Sequence, residues 1–214
     1  MESVLPPLGL AWEESLWEQG FRAVAGLDEV GRGAWAGPVV AAAVILPPRR
    51  EGLADALWDV QDSKRLTAAQ REALLPRILS LALAVGIGEA SPDEVDRLNV
   101  LGATRLAMQR ALAALGLQPD YLLLDHVRLP GWEGRQQGIP HGDGQVLSIA
   151  AASIVAKVHR DRLMVRLAQE YPGYGWEHNK GYGTPRHRQA LACLGPSPLH
   201  RRTYRPVACL LEKG

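Results

Sequence analysis

Cysteine is scarce: the 214-residue chain has only Cys193 and Cys209, with no CxxC pair. A disulfide framework and a zinc ribbon are thereby excluded, and both thiols are expected in the core. Phenylalanine is scarcer still, with Phe21 alone. No apolar run approaches the roughly 18 residues needed to cross a bilayer, and the acidic start Met1-Glu2 lacks the basic flank of a signal peptide. The expectation is a cytoplasmic protein with no membrane contact. Internal repeats and low-complexity linkers are also missing, so the segments are expected to pack as one body. What is present is ordinary globular usage, 47% hydrophobic and 22% charged, enough to bury a real core.

The formal net charge of +1 conceals a division. Residues 1 to 150 hold 13 basic and 19 acidic side chains, net −6, whereas residues 151 to 214 hold 11 and 4, net +7. His159, His178, His187 and His200 lie in the basic part too. Such a split points to a polyanion partner, with a basic helical face balanced by acidic surface elsewhere as the plain alternative.

Local patterns suggest alternating strands and helices. Ala23 to Val30 reads as a strand ending in two acids, and Pro38 to Leu46 as a second, buried strand. Thr67 and Gln70 form a capping box before a helix to about Ser80, and Leu81 to Gly88 reads as a third strand. Ser91 and Glu94 repeat the start signal for a short helix. A longer one follows over Val100 to Leu115, with Leu101, Leu106, Met108 and Leu112 inward. Tyr121 to Leu124 is a short strand terminated by Asp125, and Gln145 to about Glu170 is a helix, small-residued first and basic later. Pro172 to Gly183 reads as a glycine-rich loop anchored by Tyr174 and Trp176; Thr184-Pro185 opens a helix ending near Gly195, and the tail turns at Pro196 and Pro198.

Acids at strand ends are the sharpest chemical signal: Asp28-Glu29 after the first strand and Asp125 after the fourth, with Asp143 in Gly142-Asp143-Gly144. Taken alone, Asp125 merely ends a strand and Asp143 merely caps a helix. Together the four match what hard divalent cations and phosphoryl chemistry require, several carboxylates converging from different segments. Gly31-Arg32-Gly33 follows a strand, but the next glycine, Gly37, comes one residue too late for a dinucleotide fingerprint. The turn is either a plain tight turn or one that lets backbone amides approach a sugar or phosphate. Ser63, Lys64, Ser148, Lys157, Arg160 and Lys180 are candidate phosphate contacts, or else solvated polar groups. Asp161 is expected to pair within its own helix, and His126, which follows a candidate ligand, to support that ligand from outside or to be structural.

These residues resemble the bacterial type 2 ribonucleases H (ribonuclease HII). The matching blocks are Gly26-Leu27-Asp28-Glu29-Val30-Gly31-Arg32-Gly33, Asp62-Ser63-Lys64, Leu124-Asp125, and Gly142-Asp143 with Ser148 to Lys157. Lys180-Gly181-Tyr182-Gly183-Thr184 through His187 and His200-Arg201-Arg202-Thr203-Tyr204-Arg205-Pro206-Val207 complete them, in family order from about residue 22 to 207. Ala34 replaces a common proline and Tyr204 a common phenylalanine. The first 20 or so residues are too short for the extra domain of the type 3 enzymes.

The resemblance implies an α/β fold, a ribonuclease H-like mixed β-sheet flanked by helices, with a helical C-terminal extension. It divides the chain into an N-terminal segment (1–22), a catalytic core (23–170) and a substrate-binding extension (171–214). It implies an endoribonuclease that hydrolyses RNA in RNA/DNA hybrids and cuts 5′ to ribonucleotides embedded in duplex DNA, leaving 3′-hydroxyl and 5′-phosphate ends. Asp28, Glu29, Asp125 and Asp143 resemble the ligands of magnesium or manganese, two ions per site. Gly31, Arg32 and Gly33 resemble the turn that senses the ribose 2′-hydroxyl, and Tyr182 the ring that stacks on the next deoxyribose. Ser63, Lys64, Ser148, Lys157 and Lys180 complete the substrate-binding set. The expected partner is nucleic acid and the expected state a monomer. No sliding-clamp docking peptide is expected at Val207 to Gly214, which lacks the aromatic anchors such a peptide needs.

Overall fold

A computed structural model describes residues 8–212. Its centre is a five-stranded mixed sheet in the order β3-β2-β1-β4-β5. The strands are β1 (Val24–Val30), β2 (Val39–Ile45), β3 (Ala84–Ala90), β4 (Tyr121–Asp125) and β5 (Arg135–Ile139). β1 and β2 pair antiparallel with Asp28 opposite Ala42, whereas β1 and β4 pair parallel with Leu27 beside Leu124. The next positions, Asp28 and Asp125, therefore stand side by side at the same end of adjacent strands. Alternation places both on one face, since Leu27 and Leu124 share the opposite core.

Helices cover both faces. On the Asp28 face lie α1 (Ala11–Glu18), the one-turn α2 (Leu53–Ala56), α3 (Ala68–Leu81) and α5 (Leu147–Glu170), packed through Leu16, Trp17, Ile78 and the alanines of α5. On the other face α4 (Pro92–Ala113) packs through Ala103, Ala107, Met108 and Ala111. A third cluster joins α5 to the C-terminal part, comprising α6 (Trp176–Asn179), α7 (Pro185–Leu194) and α8 (Arg205–Leu211), through Ala36, Met164, Trp176, Leu191 and Val207. Among the described residues no helix is long and apolar enough to cross a membrane.

Both capping boxes form, Thr67 with Gln70 and Ser91 with Glu94. The division between the short and the long helix falls at Asn99, with φ 58°, whose side chain accepts hydrogen bonds from Leu101 N (2.9 Å) and Gly102 N (3.1 Å) and so restarts α4. Other expectations are corrected. The third strand begins at Ala84 rather than Leu81, because α3 continues through Leu81. Of the four residues expected inward on α4, only Met108 is fully buried, and Leu101 is 38% exposed. The cause is Gly86 and Gly88: side chains there would collide with the α4 backbone, so the helix settles closely on its alanines instead. The loop from Pro172 contains α6, and the tail contains α8. Both cysteines are exposed rather than buried, since α7 turns His187 and Leu191 inward and α8 turns Val207 inward.

Candidate active site

Four carboxylates meet where β1 and β4 end. Asp28 is 4% exposed and accepts a hydrogen bond from the Glu29 amide (2.8 Å). Asp125 accepts from the amide of Gly142 (2.9 Å), which fastens the β4 end to the short 3-10 turn Gly142–Gly144 carrying Asp143. Lys64 reaches Asp143 with its ammonium (2.8 Å), and Arg32 reaches Glu29 (3.2 Å). Lys64 sits in a second 3-10 turn, Ser63–Arg65, capped by Asp62 and braced by Arg71, which donates to the carbonyls of Ser63 (2.7 Å) and Leu66 (2.5 Å).

The electrostatics are those of crowded like charges. Burial, then the negative charge of Glu29 and that of Asp125, push the Asp28 carboxyl well above its ordinary range, against a lowering hydrogen bond from Ser153. Burial also raises Glu29, despite Arg32, and raises Asp125, despite the Gly142 amide. Burial opposes the charge on Lys64, but Asp143 outweighs it and raises that ammonium. Glu29 Oε2 is enclosed without any hydrogen-bond partner. Among the described residues no three donors are drawn into a closed ligand cluster. The set is nevertheless all oxygen, under-neutralised and partly orphaned, which fits a hard divalent cation.

Beside the acids, Gly31 takes φ +92° and any side chain there would collide with the Arg160 guanidinium, whereas Gly33 has open space around its Cα. The carbonyl of Arg32 is held from behind by Arg201 (2.8 Å) and by the Tyr204 hydroxyl. Arg160 is fully buried and donates to the carbonyls of Pro38 (2.9 Å), Lys180 (2.9 Å) and Ala36 (3.1 Å), with its guanidinium 5.5 Å from the centre of the Tyr182 ring. His187 Nδ1 lies 2.9 Å from the Tyr182 carbonyl, and its Nε2 faces both Trp176 Nε1 (3.2 Å) and His200 Nε2 (3.1 Å). The glycine turn and the Tyr182 loop are thus fixed to one another through buried side chains.

A family model described as Ribonuclease HII matches residues 25–207. The chain belongs to the ribonuclease HII family. It is a nuclease. A ribonuclease HII from Synechococcus sp. (strain JA-3-3Ab) is 56% identical over 207 residues, 97% of this chain and 92% of the relative. The crystal structure of ribonuclease H2 from Pyrococcus horikoshii OT3 superposes with a TM-score of 0.71 at 29% identity, covering 89% of this chain and 97% of that one. The PCNA:RNase HII complex from Archaeoglobus fulgidus contains a similar chain, TM-score 0.71 at 25% identity, covering 87% and 96%.

The residues singled out from sequence do not all reach the same surface. Asp28, Glu29, Asp125, Asp143, Lys64 and Arg32 come together as described. Ser148 does not: it is fully buried under β1, where a side chain on Gly26 would collide with it. Ser63 is also buried, hydrogen-bonded to Ser153 (2.8 Å), so both serines are wrongly placed for phosphate contact. Arg160, another expected phosphate contact, is enclosed by carbonyls. Lys157 pairs with Asp161 (2.7 Å), as expected of that acid, and Lys180 points its ammonium at the Glu177 carbonyl. Trp176 and Tyr174 are buried anchors. Arg201 and Ser153 were not assigned roles from sequence, although both fall inside the matching blocks; only burial distinguishes them from the neighbouring polar residues.

Proposed function

We propose that this enzyme hydrolyses the RNA strand of RNA/DNA hybrids and cuts 5′ to single ribonucleotides in duplex DNA, leaving 3′-hydroxyl and 5′-phosphate ends. The observation that carries the reading is the convergence of Asp28, Glu29, Asp125 and Asp143, with three of the carboxyls raised by burial, next to a glycine turn whose Arg32 and Gly33 are exposed. These four residues would hold magnesium or manganese, two ions in this reading. When bound, such ions supply the Lewis acidity that activates the attacking water and stabilises the leaving 3′ oxygen.

A 2′-hydroxyl both donates and accepts, and Gly31, Arg32 and Gly33 offer backbone groups that a sugar can approach closely. Tyr182 would stack on the following deoxyribose, so the turn and the ring together favour an RNA-to-DNA step. Lys64, Lys157 and Lys180 would face phosphates, and segment 171–214 would bind the duplex. We take the enzyme to act as a monomer and without a clamp-docking peptide at 207–214, where no aromatic side chain occurs.

A duplex carrying one ribonucleotide tests the proposal. Cleavage in magnesium or manganese on its 5′ side is expected, and Asp28→Asn and Asp125→Asn are each expected to abolish it while leaving binding to the duplex within about threefold. Retention of the duplex without cleavage, or near-normal turnover in either variant, would sink the assignment.

A further inference from the structure

Glu13 lies outside every matching block, yet its side chain is fully buried. It sits on α1, and its Oε1 accepts a hydrogen bond from the backbone amide of Ser148 (2.7 Å), in the first turn of α5. That turn needs an outside partner, because Val146, the residue preceding α5, supplies no side-chain cap. The same stretch is clamped twice more by the N-terminal segment: Leu147 N donates to Gly9 O (3.0 Å) and Gly9 N to Gln145 O (3.4 Å).

The capped turn connects directly to the acids. Asp143 precedes Ser148 by five residues, and the intervening chain is tight, with Gln145 N (3.0 Å) and Val146 N (2.8 Å) both donating to Gly142 O. Gly142 in turn donates to Asp125. On its other side Ser148 presses against Gly26, two residues before Asp28, where no side chain fits. The start of α5 is therefore the common support of Asp143, Asp125 and Asp28. Burial pushes the Glu13 carboxyl up, and its hydrogen bonds to Ser148 and its place at a helix N-terminus work against that burial in favour of the charged form.

We propose that Glu13 is a positioning residue of the active site: it caps α5 from a separate helix and thereby fixes Asp143 against Asp28 and Asp125. The inference rests on the role proposed above for the acid cluster. Without the carboxylate, Ser148 N is left buried and unpaired, and the first turn of α5 relaxes. Outer supports of metal-binding carboxylates typically change metal affinity or activity by 10- to 100-fold when lost.

The test compares Glu13→Ala, Glu13→Gln and Asp28→Asn as full-length proteins, at a temperature where each is folded by circular dichroism. In Glu13→Ala, kcat on an RNA/DNA hybrid is expected to fall about tenfold with KM within about twofold, and calorimetric affinity of the free protein for manganese to weaken by a similar factor. Glu13→Gln keeps an oxygen for Ser148 N and can donate to Ser148 Oγ, which is enclosed without a partner. It is expected to retain kcat within about threefold. Unchanged kcat and manganese affinity in folded Glu13→Ala would overturn the proposal even if its Tm fell, as would equal losses in the Gln and Ala variants. Should Glu13→Ala not fold, Glu13→Asp, too short to reach Ser148, is read in its place against the same outcomes. Asp28→Asn separates the two claims: if it turns over normally the acid-cluster reading fails, whereas if it is inactive and Glu13→Ala is normal only the positioning role fails.

Discussion

At Asp28 the requirements of chemistry and of folding pull in opposite directions. Burial raises this carboxyl first, Glu29 and Asp125 raise it further, and only Ser153 and the Glu29 amide favour the charged form. An acid whose folded pKa lies above its unfolded value contributes stability below the unfolded value and loses it as pH rises through the folded one. Holding Asp28 in its charged form therefore costs stability in the absence of divalent ions. Asp28→Asn keeps an oxygen for the Glu29 amide and removes one of the crowded charges. It is expected to be inactive yet more stable in chelator, by on the order of 1 kcal/mol, or about 2 to 4 °C in Tm for a chain of this size. Thermal melts at pH 7.5 with and without magnesium would check this; an unchanged or lower Tm in chelator would show that the carboxylates are better neutralised by Lys64 and Arg32 than their burial suggests.

At the scale of elements, the C-terminal helices are tied to the rest of the fold by the apolar cluster around Trp176, by backbone hydrogen bonds such as Gly37 N to Leu199 O (2.9 Å), and by two buried guanidinium groups. Arg160 satisfies carbonyls of Ala36, Pro38 and Lys180, and Arg201 those of Gly37 and Arg32. Arg160 meets the three carbonyls with three separate nitrogens, whereas a lysine ammonium gathers its donors on one atom that cannot reach all three places, so Arg160→Lys is expected to cost about 2 to 4 kcal/mol in urea unfolding. Proteolytic cutting within 171–212 should also become faster than in the wild type. A loss under about 0.5 kcal/mol would mean that the apolar cluster around Trp176 carries the docking alone. Sequence showed part of this level. Capping boxes were legible because their chemistry is local, and β1, β2 and β4 because buried strands are continuously apolar. β5 was not: Arg135–Ile139 reads RQQGI, an edge strand whose residues are mostly half-exposed. The inward face of α4 was misjudged because close packing on Gly86 and Gly88 favours alanine over leucine, and that depends on a strand distant in sequence from Ala107 and Ala111. The four acids were legible as a set, while Glu13 carried no local signal at all.

Across the whole molecule, charge is divided between an acidic centre at the β1 and β4 ends and a basic end that buries two neutral imidazoles. His200 is lowered from 6.5 to about 4, by burial and then by His187, and burial lowers His187 as well. Their hydrogen bonds agree with neutrality: His200 Nδ1 accepts from Ser197 N (3.0 Å), leaving its Nε2 to donate to His187. A histidine with a depressed folded pKa contributes stability above its unfolded value and loses it as pH falls toward the folded one, here between 6.5 and about 4. The raised carboxyls act with the opposite sign, gaining protons and stability as pH falls. In the wild type the two contributions oppose one another, read as the urea midpoint against pH in chelator. Replacing His200 with Gln, which cannot take up a proton, removes the destabilising contribution, so that the midpoint falls less with acidification than in the wild type. Asp28→Asn removes the compensating one and should lose stability more steeply. Parallel curves for all three proteins between pH 6.5 and 4.5 would show that neither His200 nor Asp28 sets the acid response of the fold.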